Sequence, residues 1–189
     1  MYEVELKFPL VSSQPVLKKL EGLGAVRRAA VMQSDRYFNH PSRDFAQTDE
    51  ALRIRVSGER YRVTYKGPLV DATTKMRREI ELPFGDEPGD DERFAELLTE
   101  LGFREVRTVR KERLPLELEW EGRRLELAVD NVEGLGHFLE IETFADEATK
   151  DAARDCIWRL AERLGLENSE RRSYLTLLMD QDRQAKERG

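Results

Sequence analysis

The chain has one cysteine, Cys156, in 189 residues, so no intrachain disulfide can form and a reducing, cytoplasmic setting is expected. It has only two histidines, His40 and His137, which lack partners at metal-ligand spacing and read as loop residues. No apolar run approaches membrane-spanning length and no apolar leader segment opens the sequence, so a protein without a membrane partner is expected. Basic residues are not in excess. With 32 Lys and Arg against 38 Asp and Glu the net charge is −6, which argues against a general nucleic-acid partner because nothing offsets phosphate repulsion. There is no Walker A loop, no glycine-rich dinucleotide fingerprint and no kinase signature, so the common phosphate-binding folds find no support.

What the chain does have is charge, at 37 % of residues against the usual quarter. That charge falls inside segments that alternate like strands. Tyr2 to Pro9 sets Glu3, Glu5 and Lys7 against Val4, Leu6 and Phe8. Ser12 or Ser13 then reads as the cap of a helix with Val16, Leu17, Leu20 and Leu23 on one stripe. Val26 to Asn39 is extended, and Leu52 to Val56 and Tyr61 to Lys66 form a hairpin about Ser57-Gly58. Lys75 to Pro83 is a further strand. A second helix carries Phe94, Leu97, Leu98 and Leu101 up to Gly102. Strands at Glu105 to Leu116, Glu117 to Glu121, Arg123 to Val132 and His137 to Phe144 follow, then a helix through Ile157 and Leu164, and a last helical piece at Tyr174 to Met179. This predicts one α+β domain over residues 1–180, an eight-stranded antiparallel sheet closed into a barrel or tunnel with flanking helices, and a charged, frayed tail at 181–189.

Side chains at i, i+2 and i+4 share a strand face. Arg53 with Arg55, Arg77 with Glu79 and Glu81, Lys111 with Arg113, and Glu140 with Glu142 therefore form charged faces, as do Arg124, Glu126 and Asp130. Turned outward they would be a solvated surface. Turned inward they would line a bore whose unpaired charges are costly until a ligand completes the pairing. Periodicity is the same for both arrangements. The residue types suit a polyphosphate, since arginine and lysine hold phosphate oxygens and carboxylates hold Mg²⁺ or Mn²⁺.

The opening Glu3-Val4-Glu5-Leu6-Lys7 resembles the ExExK signature of the CYTH superfamily, the triphosphate tunnel metalloenzymes. The resemblance continues in order through Asp35-Arg36-Tyr37-Phe38, Leu52-Arg53-Ile54-Arg55, Thr64-Tyr65-Lys66-Gly67-Pro68, Arg77 to Glu81, Lys111-Glu112-Arg113, Asp130, Gly134 to Glu142, and Ser173-Tyr174. It implies a tunnel with the charged faces inward. It also implies metal ligands at Glu3, Glu5, Asp130, Glu140 and Glu142, with Glu79 and Glu81 assisting, and phosphate contacts from Lys7, Arg53, Arg55, Lys66, Arg77, Lys111 and Arg113. Within the superfamily, His40 to Phe45 and the Tyr-Lys-Gly-Pro motif look most like the class IV adenylate cyclase branch. Asn39 departs from the aspartate that many members carry there.

The branch implies ATP as substrate, with the ribose 3′-hydroxyl attacking the α-phosphorus and pyrophosphate leaving. The alternative is a triphosphatase acting on thiamine triphosphate, tripolyphosphate or a nucleoside triphosphate, in which Tyr37 and Lys66 match the pair that activates water. A lysine base would need its pKa lowered, which the nearby arginines could provide. A third reading is a module that binds polyphosphate or nucleotide without turnover. The sequence leaves base recognition and oligomeric state open, a homodimer included. Cys156, Trp120 and Trp158 read as packing residues.

Overall fold

A computed structural model of the chain describes residues 2–69 and 77–188. Nine strands and five helices follow one another as β1 (Tyr2–Leu10), α1 (Gln14–Gly22), β2 (Val26–Arg27), β3 (Val31–Asn39), α2 (Phe45–Thr48), β4 (Ala51–Ser57), β5 (Arg60–Leu69), β6 (Arg77–Pro83), α3 (Asp90–Glu100), β7 (Arg104–Trp120), β8 (Arg123–Val132), β9 (Gly136–Ala145), α4 (Lys150–Leu164) and α5 (Tyr174–Arg188). The sheet runs β7-β3-β4-β5-β6-β1-β9-β8, and β8 pairs back onto β7, so eight antiparallel strands close a barrel. The two-residue β2 adds to β7 outside this ring. The expected α+β tunnel is the fold observed.

Helix packing decides which face of the wall looks inward. In β1, Val4, Leu6 and Phe8 are buried together with Leu17 and Leu20 of α1 and Ile157, Leu160 and Leu164 of α4. Leu125 and Leu127 of β8 and Leu139 and Ile141 of β9 complete that cluster. Strand alternation then turns Glu3, Glu5 and Lys7 into the barrel. On the opposite wall α3 covers Phe38 of β3 and Ile54 of β4, which turns Tyr37, Arg53 and Arg55 inward.

The third cluster differs from the other two. Tyr37, Val109, Val132 and Phe138 belong to inward faces, and Tyr174 and Leu178 of α5 pack onto them. α5 therefore stoppers one end of the tunnel, while Glu126 and Phe144 line the other end and are exposed.

Several local expectations need correction. The segments 105–116 and 117–121 are one 17-residue strand, β7, because Pro115 continues the pairing opposite Ala128. Ser13 occupies the N-cap of α1 as expected; its side chain makes no capping bond, and proline in the first turn opens the helix. In α3 the buried positions are Ala95 and Leu98, whereas Leu97 and Leu101 face solvent. The frayed tail is helical, since α5 continues to Arg188. His137, read as a loop residue, lies in β9. Lys75 and Met76, at the start of the predicted strand Lys75 to Pro83, lie outside the described residues.

Candidate active site

Strand register assembles the site. Asp35 of β3 stands opposite Arg55 of β4, and Arg113 of β7 opposite Asp130 of β8. Lys66 of β5 faces Glu79 of β6, and Lys7 of β1 faces Glu140 of β9. Opposite charges on adjacent strands attract, and most of the tunnel is built this way. Like charges also meet, since Arg55 of β4 stands opposite Arg62 of β5, and one row is acidic throughout. Glu5 stands opposite Glu142, Glu142 opposite Glu126, and Glu126 opposite Glu117, so four glutamates lie side by side across β1, β9, β8 and β7, the first three of them lining the cavity. Like charges directly opposed destabilise a sheet, and such a row persists where something other than the sheet accounts for it.

The cavity encloses about 240 Å³ and is lined from every strand of the barrel. Seven basic side chains face it, at positions 7, 53, 55, 66, 77, 111 and 113, against seven acidic ones, at positions 3, 5, 79, 81, 126, 140 and 142. All the cations and carboxylates expected from the sequence thus line one chamber, except Asp130, which lies behind it. Sequence reasoning assigned no role to Glu126, Thr64, Phe144, Ser173 or Tyr174, which also line it. Ser173 and Tyr174 come from α5 and its approach, where strand alternation gives no signal.

Two buried carboxylates organise the cations. Asp35 accepts from Nε and Nη2 of Arg55, each at 2.6 Å, and from Arg53 at 3.3 Å. Burial pushes its carboxyl up, but Arg55 and Arg53 outweigh burial and hold it well below the usual range. Stability from this group is present above the unfolded value near 3.8 and is lost as pH falls below it, because the unfolded chain then binds the extra proton. Wild type should therefore lose stability faster than Asp35→Asn between about pH 5 and pH 2, as measured by urea midpoints at fixed ionic strength. Equal slopes would mean that the pair contributes nothing to acid stability.

Asp130 is the second organiser. It accepts from Lys111 at 2.8 Å, from Arg113 at 2.8 and 2.7 Å, and from the Tyr174 hydroxyl at 3.1 Å. Arg113 also reaches Glu140. Asp130 and Glu140, expected as metal ligands, sit among cations in this structure. Lys7 donates to the Arg172 carbonyl and lies 4.2 Å from the centre of the Tyr174 ring, close enough for a cation–π contact.

Lys66 donates to Glu3 at 2.8 Å and is 2.6 Å from Glu79. Burial and Arg53 lower its pKa, but Glu3, Glu79 and Glu5 prevail and raise it above the ordinary lysine value. The lowering by Arg53 is outweighed in the metal-free protein, where Lys66 stands as a cation paired with Glu3 and Glu79. The depressed lysine is Lys111, pushed down to about 8 by burial first and by Arg113 second, against the pull of Asp130. Tyr37 lines the cavity while packing in the α5 cluster, so it both fills space and faces the site. Glu81 accepts from Arg62 at 2.9 Å and from Thr64 at 3.1 Å, and Arg77 donates to the Asp49 carbonyl at 3.3 Å. Asn39 takes no place in the chamber. Its side chain accepts from the His40 and Phe45 backbone and donates to Asp44, shaping the loop before α2.

Oxygens of Glu3, Glu5 and Glu142 lie within 4.8 Å of one another. Burial, then Glu3, Glu5 and Glu140, push the Glu142 carboxyl up to about 8, although Arg113 pulls it down. Three carboxylates that cannot all ionise unaided form a hard oxygen donor set of the kind that suits Mg²⁺ or Mn²⁺. The charge balance agrees. With basic and acidic groups equal in number, the chamber holds no large excess of positive charge for a polyphosphate.

Comparisons with known proteins agree on a family. The sequence profile of the CYTH domain matches residues 1–174. A Methanocaldococcus jannaschii protein, named provisionally as an adenylate cyclase, is 38% identical over 180 residues, covering 94% of this chain and 98% of its own. The adenylate cyclase CyaB of Aeromonas hydrophila is 30% identical over 183 residues, covering 93% of this chain and 88% of its own. Among solved structures, the PH1819 protein of Pyrococcus horikoshii superposes with a TM-score of 0.83 at 37% identity, covering 95% of this chain and 99% of that one.

Proposed function

Since the chain belongs to the CYTH domain family, we propose that it is a divalent-metal-dependent enzyme that converts ATP to cyclic AMP and pyrophosphate inside the tunnel. The observation that carries this reading is the acidic row Glu5–Glu142–Glu126, with Glu3 beside it, set in a chamber that seven basic side chains also line. The adenylate cyclase names of both curated relatives support cyclisation as the reaction. The protein's expected setting is the cytoplasm, and no helix among the described residues is long and apolar enough to cross a membrane.

Glu3, Glu5 and Glu142 would hold Mg²⁺ or Mn²⁺, with Glu79, Glu81, Asp130 and Glu140 near enough in the chamber wall to adjust its charge. When bound, the metal would neutralise phosphate charge and lower the pKa of the attacking ribose hydroxyl. Arg53, Arg55 and Arg77 offer forked donors to phosphate oxygens, and Lys7, Lys66, Lys111 and Arg113 add charge at the inner end. As the 3′-hydroxyl loses its proton to water and bonds to the α-phosphorus, the bond from that phosphorus to its bridging oxygen breaks and pyrophosphate carries the electron pair away. The cationic wall is fixed before the reaction, so it stabilises that developing charge without reorganising.

A second reading is favoured by the lining itself, which is charged almost throughout and supplies far more for phosphates than for a base. It is hydrolysis of a triphosphate with water attacking the terminal phosphorus, aided by Tyr37 and Lys66. Lys66, held protonated, would then serve as a charge on the phosphate, with the water's proton passing elsewhere.

Product analysis separates the two. Purified protein incubated with ATP and Mg²⁺ or Mn²⁺ should yield cyclic AMP and pyrophosphate in equal amounts. Orthophosphate without cyclic AMP, from ATP or tripolyphosphate, would establish hydrolysis instead. No product from either substrate would leave a module that binds without turnover.

A further inference from the structure

Phe144 takes no part in the phosphate chemistry, yet it faces the same chamber. It extends β9 two residues past Glu142 and stands opposite Glu3 of β1, on the inward face. The ring lines the cavity and is 48 % exposed. A lone exposed apolar residue is ordinary on a protein surface, so exposure alone carries little weight. Its position carries more.

The other aromatic rings lining the chamber, Tyr37 and Tyr174, are buried in the stopper cluster with α5. They stand beside the innermost cations, where Lys7 and Lys111 lie within 4.2 and 5.0 Å of the Tyr174 ring centre. A triphosphate tail drawn to those cations points inward, toward the end that α5 packs against. Whatever group the triphosphate is attached to must then lie toward the open mouth. Phe144 is the one apolar ring there among the described residues, about 6.7 Å along the strand from Glu142. It is also well supported, because β9 pairs with β1 at this position and Arg123 donates to the Phe144 carbonyl at 3.3 Å. A contact surface on a braced strand loses little freedom when a ligand settles on it.

We infer that Phe144 is a specificity-determining platform on which a flat ring of the substrate stacks, so that the tunnel selects a ring-bearing triphosphate ester over inorganic triphosphate. The inference rests on the triphosphate reading above and extends it to the part of the substrate that the charged residues do not touch.

The test is calorimetric binding of ATP and, separately, tripolyphosphate, each with Mn²⁺, to wild type, Phe144→Ala and Phe144→Trp. Stacking on an aromatic side chain predicts that alanine weakens ATP roughly 10-fold while tripolyphosphate affinity stays within about twofold. Tryptophan should restore ATP affinity, and its added fluorescence should be quenched by ATP and not by tripolyphosphate. Equal losses for both ligands, no loss for either, or wild type that binds tripolyphosphate but not ATP would overturn the platform and leave the triphosphate tunnel standing. Wild type that binds neither ligand would overturn the triphosphate reading and the platform with it.

Discussion

Asp130→Asn should destabilise the folded protein by about 3–5 kcal/mol, the range for removing one partner of a buried ion pair. Asp130 is fully buried and holds Lys111, Arg113 and the Tyr174 hydroxyl at once. Asparagine keeps the shape and one acceptor but removes the charge. Lys111 and Arg113 would then face each other without their shared carboxylate, with Glu140 as the nearest remaining partner of Arg113, and Lys111 is already depressed by burial and by Arg113. The loss should appear as a lower urea midpoint at unchanged slope. Tripolyphosphate should restore much of it, because an anion that binds only the folded state adds about 2.7 kcal/mol at 100 times its Kd. A variant as stable as wild type would show that the network contributes no net stability.

Glu142→Gln is expected to act in the opposite way. In the metal-free protein Glu142 lies between Glu5 and Glu126, with Glu3 close by, so its charge is a liability. Removing that charge should leave stability unchanged or raise it. Turnover should fall at least 100-fold, and the Mn²⁺ concentration for half-maximal rate should rise by more than the roughly 10–100-fold cost of losing an outer-shell partner. The two substitutions are chemically alike and stand in neighbouring strands of one chamber. Opposite signs on stability would separate the carboxylate that holds the wall together from the carboxylate held ready for a metal. A Glu142→Gln enzyme within tenfold of wild type would remove the Glu3–Glu5–Glu142 cluster from the mechanism.

The alternation in the sequence revealed much of this and stopped at a definite place. Glu3, Glu5 and Lys7 against Val4, Leu6 and Phe8 announced a strand with two unlike faces, but a period of two is identical whichever face is buried. The choice is made by α1 and α4, whose Leu20, Ile157 and Leu160 need an apolar wall to cover. The resemblance to the CYTH superfamily supplied the same answer before any helix was placed. Register was illegible for a related reason. Glu5, Glu142 and Glu126 lie up to 137 positions apart in the chain, and only closure of the barrel through β1, β9 and β8 sets them in a row. Tyr174 and Asp35 stood within motifs that the resemblance singled out, yet their tasks depend on partners from other strands, Asp130 for one and Arg55 for the other. The α3 stripe was misread because leucine was taken as the mark of burial. The small side chain of Ala95 lets that helix lie close on β4, and Leu97 and Leu101 are left outside.

The stopper formed by α5 also bears on traffic. A vessel with a single opening admits and discharges through the same gate, so molecules inside it queue. If cyclisation takes place with the phosphate tail innermost, the cyclic nucleotide forms nearer the gate and pyrophosphate nearer the stopper. The first product then stands in the path of the second. Release becomes single-file, and the protein sits longest with pyrophosphate in its depths, the very place the next substrate must reach with its own tail.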